Sequence, residues 1–229
     1  MPSIHAITLD LDDTLWPIGP VIAKAEQHLH DHLHSRYPRI GEQYDVDRLR
    51  QLRDRVMADH PEIGHDFTAL RHRTFELLLA NCGYDGGDAD ALLEEFLKAR
   101  HWVTLYPDVL DALQSLSTHL PLVAVSNGNA DLKRLGLDHY FVGSINARGV
   151  GTLKPGAEIF RAACVALKAE PENVLHIGDH PIEDVLGAQG IGMKSAWMNR
   201  SAHSWTYEHT PDSEVASLHD VLALLELSS

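Results

Sequence analysis

The apolar run Ile4-His5-Ala6-Ile7-Thr8-Leu9 ends abruptly in Asp10-Leu11-Asp12-Asp13-Thr14, and this junction constrains the chain more than any other segment. A short apolar run of this kind reads as a buried strand. Side chains two apart on an extended chain project the same way, so Asp10 and Asp12 converge where the strand ends. Converging carboxylates repel, and a shared proton or a bound cation is the usual way to offset that repulsion. The same Asp-Asp-Thr would also serve a strand-to-helix corner, so the remainder of the chain has to separate a chemical site from a turn.

From Pro17 to about Ala99 the apolar spacing is helical, over 21–36, 47–58, 66–79 and 88–97, with Pro38, Pro61 and the stretch from Gly83 to Gly87 as separators. From Pro107 onward the pattern changes. Short apolar runs at 122–125, 142–145, 174–177 and 194–198 alternate with helical stretches, the pattern of a parallel sheet wound with helices. The first strand belongs to that sheet. The expected fold is therefore α/β, a doubly wound parallel sheet with an inserted α-helical domain: a core of residues 1–16 and 103–229, and a helical cap of residues 17–102.

At 229 residues and 44% hydrophobic, the chain can bury a full core. A formal charge of −14 opposes a nucleic-acid backbone, and a polymeric polyanion is excluded as the expected partner. No apolar stretch reaches the roughly 18 to 20 residues of a membrane span, and the N-terminus lacks a secretory pattern, so a cytoplasmic location without membrane contact is expected. Cys82 and Cys164 fit two packed, reduced thiols. His28, His30, His32 and His34 have helical spacing, but Ile22, Ala25, Leu29 and Leu33 form the apolar stripe of that segment, and the histidines read as a solvated flank.

Ligands of open parallel sheets bind beyond the carboxyl ends of the strands. Those positions carry Asp10 and Asp12 after the first strand, Ser126-Asn127-Gly128-Asn129 after the second and Gly178-Asp179-His180 after the fourth. Lys154, in Gly151-Thr152-Leu153-Lys154-Pro155, adds a cation, and Asp184 follows Asp179 by one loop or helical turn. Each piece alone is an ordinary turn or surface residue. Their order and placement describe one site.

In that order, Asp10-Leu11-Asp12-Asp13-Thr14-Leu15, Ser126, Lys154 and Gly178-Asp179 with Asp184 resemble the four motifs of the haloacid dehalogenase superfamily. The resemblance covers essentially the whole chain, including the helical insertion and the hinge-like Leu105-Tyr106-Pro107. The cap, with His65-Asp66 followed by Arg71 and Arg73, is most similar to the bacterial flavin mononucleotide (FMN) and 5-amino-6-(5-phosphoribitylamino)uracil phosphatase branch.

The resemblance implies a Mg2+-dependent phosphatase that hydrolyses a small phosphorylated metabolite through an aspartyl-phosphate, as a monomer or homodimer. Asp10 is then the nucleophile and Asp12 the acid and base. Mg2+ is held by the Asp10 carboxylate, the Asp12 carbonyl and the Asp179 carboxylate, with Asp184 orienting that shell. Ser126, the backbone around Asn127 and Lys154 hold phosphoryl oxygens. Arg71 interrupts the face formed by Phe67, Leu70, Thr74 and Leu78, and with His65 it is the candidate cap contact to substrate. Trp16 could stack on a flat ring but suits a packed hinge position better.

Rival readings are another sugar-phosphate or nucleotide phosphatase, a phosphomutase, a 2-haloacid dehalogenase and a non-catalytic phospho-ligand sensor. A halide leaves without a proton, so a dehalogenase has no use for Asp12 as an acid. A phosphomutase needs extra cations for a second phosphate, and a sensor has no reason to keep every catalytic residue.

Overall fold

The computed structural model describes residues 4–227, which divide into two compact units, one built from the segments up to Pro17 and from Thr104 onward, the other from Ile18–Val103. Six parallel strands form the first unit: β1 (Ala6–Leu9), β2 (Leu122–Ser126), β3 (Gly143–Asn146), β4 (Val174–Gly178), β5 (Lys194–Met198) and β6 (Ser213–Val215), in the order β3-β2-β1-β4-β5-β6. The first and fourth of these are buried throughout, as strands covered by helices on both faces must be. In register, Ile7 lies opposite Leu122 and Ala6 opposite Val174, so the N-terminal strand occupies the middle of the sheet. The chain builds outward from β1 through β2 to β3, then returns to β4 on its other side. The strand order thus reverses at β1, where a parallel sheet leaves a crevice at its carboxyl edge.

The second unit contains α1 (Ile18–Arg36), α2 (Pro38–Gln43), α3 (Val46–Asp59), α4 (Phe67–Asn81) and α5 (Ala89–Arg100). Ala25, Leu29 and Leu33 of α1 join Phe75 and Leu78 of α4 and Leu92 and Phe96 of α5 in one apolar cluster. Asp45 and Asp66 cap α3 and α4, the first accepting from Arg48 N–H and the second from Thr68 and Ala69 N–H, at a typical value of ~1 kcal/mol per cap. The helical histidines flank the buried stripe but are less solvated than expected, His28, His30 and His32 being half-buried and His34 exposed: His28 is 3.3 Å from Glu95, and His30 stacks on His34.

In the first unit α6 (Val109–His119) precedes β2, the short α7 (Leu132–Leu135) and α8 (Ala147–Val150) bracket β3, and α9 (Ala157–Leu167) precedes β4. Beyond β4 a π-helical turn, Pro181–Leu186, runs into α10 (Gly187–Gln189), and α11 (Leu218–Leu224) ends the fold behind a Ser217–Asp220 capping box. Three elements differ from expectation. β6 and α2 were not anticipated, because three and six residues are too few to show a period. The segment after Asp179 closes as a π turn, a local widening common at functional sites. Among the described residues no helix is long and apolar enough to cross a membrane.

Candidate active site

Strand register brings the predicted motifs together. Asp10 N–H donates to Ile177 O at 2.9 Å, which ties the residue after β1 to β4. Asp10 is buried, and its Oδ1 accepts from Lys154 Nζ at 2.5 Å; the same ammonium donates to Asp184 Oδ1 at 2.6 Å. The loop that carries Lys154 is clamped by Asn127, whose Oδ1 accepts from Lys154 N at 2.7 Å while Nδ2 donates to Lys154 O and Glu183. The Asn127 carboxamide is therefore engaged inside the protein, and what this position offers a ligand is backbone. Ser126 Oγ accepts from Gly128 N at 2.9 Å, shaping the turn after β2 and leaving the hydroxyl hydrogen to donate elsewhere.

Gly178 explains how Asp184 reaches this group. A Cβ at residue 178 would lie 2.3 Å from Asp184 Cγ, so only glycine lets the carboxylate fold back over the end of β4. Its Oδ2 accepts from His180 N at 2.9 Å, and its Oδ1 also takes His176 Nε2 at 3.1 Å. His176 Nδ1 in turn faces Thr8 Oγ1 at 2.8 Å. A carboxylate only accepts, so Nε2 carries the hydrogen and Nδ1 accepts from the threonine hydroxyl. Burial outweighs the pull of Asp184 and holds the imidazole below its usual range, hence neutral at pH 7.

The charges do not balance. Burial pushes Asp10 well above the usual carboxylate range, with Asp184 and Asp179 adding to it and Lys154 offsetting only part. Burial would also raise Asp184, but Lys154 and His176 hold it well below. Burial opposes the charge on Lys154, and its two carboxylates more than reverse that. Asp179 is pushed up to about 7, first by burial, then by Asp184 and Asp13. Carboxylate oxygens of Asp10, Asp179 and Asp184 all lie within 4.8 Å of one another. This hard-oxygen donor set, with one lysine among three acids, fits a divalent cation. Asp184 already accepts three bonds, so Asp10 and Asp179 are the better donors to it.

Asp12 is half-buried, and its Oδ1 accepts from Trp16 Nε1 at 2.9 Å. Trp16 is fully buried, which settles it as a packed residue rather than a stacking platform. Between them Asp13 takes φ 60°, a left-handed conformation that aspartate tolerates better than most residues. The loop is held from outside by Arg200, which donates to Thr14 O at 2.9 and 3.0 Å, pairs with both oxygens of Asp108 at 2.9 Å and stacks on the Tyr106 ring. A cavity of about 220 Å3 opens beside Asp179, lined by Asp13, Tyr106, Asn199, Arg200 and His203 among others.

The cap candidates lie in the helical unit. His65 precedes α4 and is half-buried. Arg71 sits with its guanidinium 3.4 Å from the centre of the Phe96 ring. Burial lowers it to about 9, with Arg53 and Arg100 nearby adding to the shift and Glu26 opposing. Glu26 itself is buried and paired with Arg50 and Arg53.

Sequence reasoning missed His176, Thr8, Arg200, Asp108 and Glu183. The available signal was a histidine between Leu175 and Ile177 in a strand that had to be buried, directly opposite Thr8 in the register. A buried polar side chain needs a partner, and here the partner is a site carboxylate.

A family profile described as haloacid dehalogenase-like hydrolase matches residues 4–192. The 5-amino-6-(5-phospho-D-ribitylamino)uracil phosphatase YigB of Escherichia coli K12 is 31% identical over 97% of this chain and 96% of its own. Pyrophosphatase PpaX of Anoxybacillus flavithermus is 28% identical over 99% of both. Among solved structures, one described as a 2-haloacid dehalogenase from Pseudomonas syringae pv. Tomato DC3000 is similar at a TM-score of 0.92 and 36% identity, covering 97% of this chain and 98% of that one.

Proposed function

This chain belongs to the haloacid dehalogenase-like hydrolases, and on that footing we propose that it is a phosphatase acting through Asp10 as a covalent nucleophile. The observation that carries the reading is the bridge from Lys154 Nζ to Asp10 and Asp184, with Asp179 alongside: a nucleophile, a phosphate-binding cation and a donor set for a metal in one group. An Asp10 oxygen attacks phosphorus as the bond to the leaving oxygen breaks, and Asp12 gives that oxygen a proton. Water then attacks phosphorus as the bond from phosphorus to the Asp10 oxygen breaks, passes a proton to Asp12, and so frees inorganic phosphate and restores the Asp10 carboxylate. Lys154, Ser126 Oγ–H and the backbone at Asn127 hold the phosphoryl oxygens. Asp184 keeps Lys154 charged and aimed. Mg2+, held by Asp10, Asp179 and the Asp12 carbonyl, would neutralise charge on the phosphoryl group.

Para-nitrophenyl phosphate tests this reading. Turnover is expected with Mg2+, to be abolished by excess chelator and restored by added Mg2+; undiminished activity in the metal-free protein would refute the metal assignment. The substrate we favour is FMN or a riboflavin-pathway ribityl phosphate, supported by the near full-length similarity to the Escherichia coli enzyme. A panel of phosphate esters that adds phosphoserine, glyceraldehyde 3-phosphate and pyrophosphate, ranked by kcat/KM, decides it. The similar Pseudomonas structure motivates a second reading as a dehalogenase. Retention of Asp12 and of the acids around Asp179 argues against it, and chloride release from 2-chloropropionate is expected to be absent.

We place Arg71 and His65 in substrate choice. Arg71→Ala is expected to lower kcat/KM for FMN about tenfold more than for para-nitrophenyl phosphate, near the lower end of the ~1.5–3 kcal/mol of a charged hydrogen bond. Equal losses for both would make Arg71 a packing residue over Phe96.

A further inference from the structure

The indole of Trp16 has a single polar atom, and it is directed at the residue assigned the proton. Nε1–H donates to Asp12 Oδ1 at 2.9 Å from a ring with no exposed surface. The backbone enforces the meeting: Asp13 N–H donates to Trp16 O at 2.7 Å, Leu15 N–H to Leu11 O at 2.8 Å, and residues 12 and 16 form a parallel bridge around the left-handed Asp13. The chain thus folds back so that residue 16 lies beside residue 12.

An indole N–H is a donor in every state and never an acceptor. The oxygen it faces cannot also present a carboxyl hydrogen toward it. When Asp12 is protonated, its hydrogen is therefore favoured on Oδ2, because the carbonyl-type oxygen is the better acceptor for the indole N–H at Oδ1. We propose that Trp16 is a positioning residue for proton transfer, one that sets how the carboxyl plane of Asp12 is turned and biases proton exchange to Oδ2. The proposal rests on the phosphatase reading above. In the first half-reaction the Oδ2–H bond breaks as the phosphorus–oxygen bond to the leaving group breaks, and the proton goes to the leaving oxygen. In the second, a proton from the attacking water returns to Oδ2. Geometric control of this kind matters because general acid–base catalysis needs the carboxyl within hydrogen-bond reach of the reacting oxygen.

The test exploits leaving-group chemistry. Nitrophenolate departs without a proton, whereas an alkoxide needs one, and kcat/KM reports the step in which the leaving group departs. Trp16→Phe keeps an aromatic ring and removes the donor. Its ratio of kcat/KM for a primary alkyl phosphate (FMN or glycerol 3-phosphate, whichever the wild type hydrolyses faster) to that for para-nitrophenyl phosphate should fall about tenfold, a fraction of the ~10²–10⁴ of a whole general acid. In an Asp12→Ala background the same substitution should leave that ratio where it is. A loss shared equally by both esters would overturn the proposal and make Trp16 a packing residue only. Wild-type protein that hydrolyses neither ester would instead defeat the phosphatase reading. If Trp16→Phe fails to fold, the indole N–H resonance of Trp16, assigned by elimination with Trp102, Trp197 and Trp205 variants, serves in its place. It should move upfield and exchange faster with solvent in Asp12→Ala, and an unmoved resonance would refute the contact on which the proposal stands.

Discussion

Asp10→Asn is expected to lower phosphatase turnover by about ten-thousandfold or more, the scale seen when a member of a concerted catalytic set is removed, because a carboxamide cannot form the acyl-phosphate. It should do so in a protein at least as stable as the parent. Burial and two acidic neighbours hold Asp10 well above its ordinary value, so its ionisation opposes folding in the absence of a cation. A carboxyl shifted upward favours the folded state at low pH and loses that contribution as pH rises toward its folded value. The variant's advantage should therefore be present at pH 7.5 and absent below the ordinary value of 3.8. Urea denaturation in chelator at the two pH values measures this, and single-turnover kinetics measures the catalytic loss. Turnover within tenfold of the wild type would rule out Asp10 as nucleophile.

Lys154→Met should damage both activity and fold. It removes the only ammonium from a buried group in which Asp10 and Asp184 depend on it. Deleting one partner of a buried ion pair costs ~3–5 kcal/mol, since the other charge is left uncompensated. The pH dependence has a definite sign. In the wild type Asp184 is held below its ordinary value, so the stability it supplies is present at neutral pH and lost in acid. Without Lys154 the burial of Asp184 is no longer offset and raises it above its ordinary value, so the variant gains stability as this carboxyl protonates, and the gap between variant and wild type should narrow from pH 7.5 to pH 5. Adding Asp10→Asn to Lys154→Met should recover part of the loss, because the two positions share one network. A loss below about 1 kcal/mol at pH 7.5 would contradict a buried triad, being the value of a surface pair.

What was legible in the sequence was whatever depends on chain order. Asp10 and Asp12, Ser126, Lys154 and Asp179 follow apolar runs or lie in a loop between them, and strands of one parallel sheet end on one edge, so their convergence needed no coordinates. Contacts that depend on register or on local dihedrals were hidden. His176 meets Thr8 only because β1 and β4 pair in one particular alignment. Trp16 reaches Asp12 only because Asp13 turns left-handed, and no spacing rule marks that. Arg71 was visible as an intruder on an apolar face, but its seat over Phe96 is set by how α4 packs on α5. Arg200 was silent, since an arginine near a loop carries no signal until its carbonyl partner is known.

The central place of β1 has a consequence for how the protein is made. Its partners, Leu122–Ser126 and Val174–Gly178, leave the ribosome long after it does. At ~5–20 residues per second, the wait for β4 is roughly 8 to 30 seconds. The intervening segment Ile18–Val103 is a compact unit on its own contacts and can order during that interval, whereas Ala6–Leu9 must stay unpaired with both edges open. A strand of four residues offers little to pair with, and the acids immediately after it place repelling charge at its end, as gatekeeper residues do beside an obligatory hydrophobic segment. The carboxylates assigned here to chemistry in the finished enzyme thus also guard the nascent chain against association before there is a sheet to join.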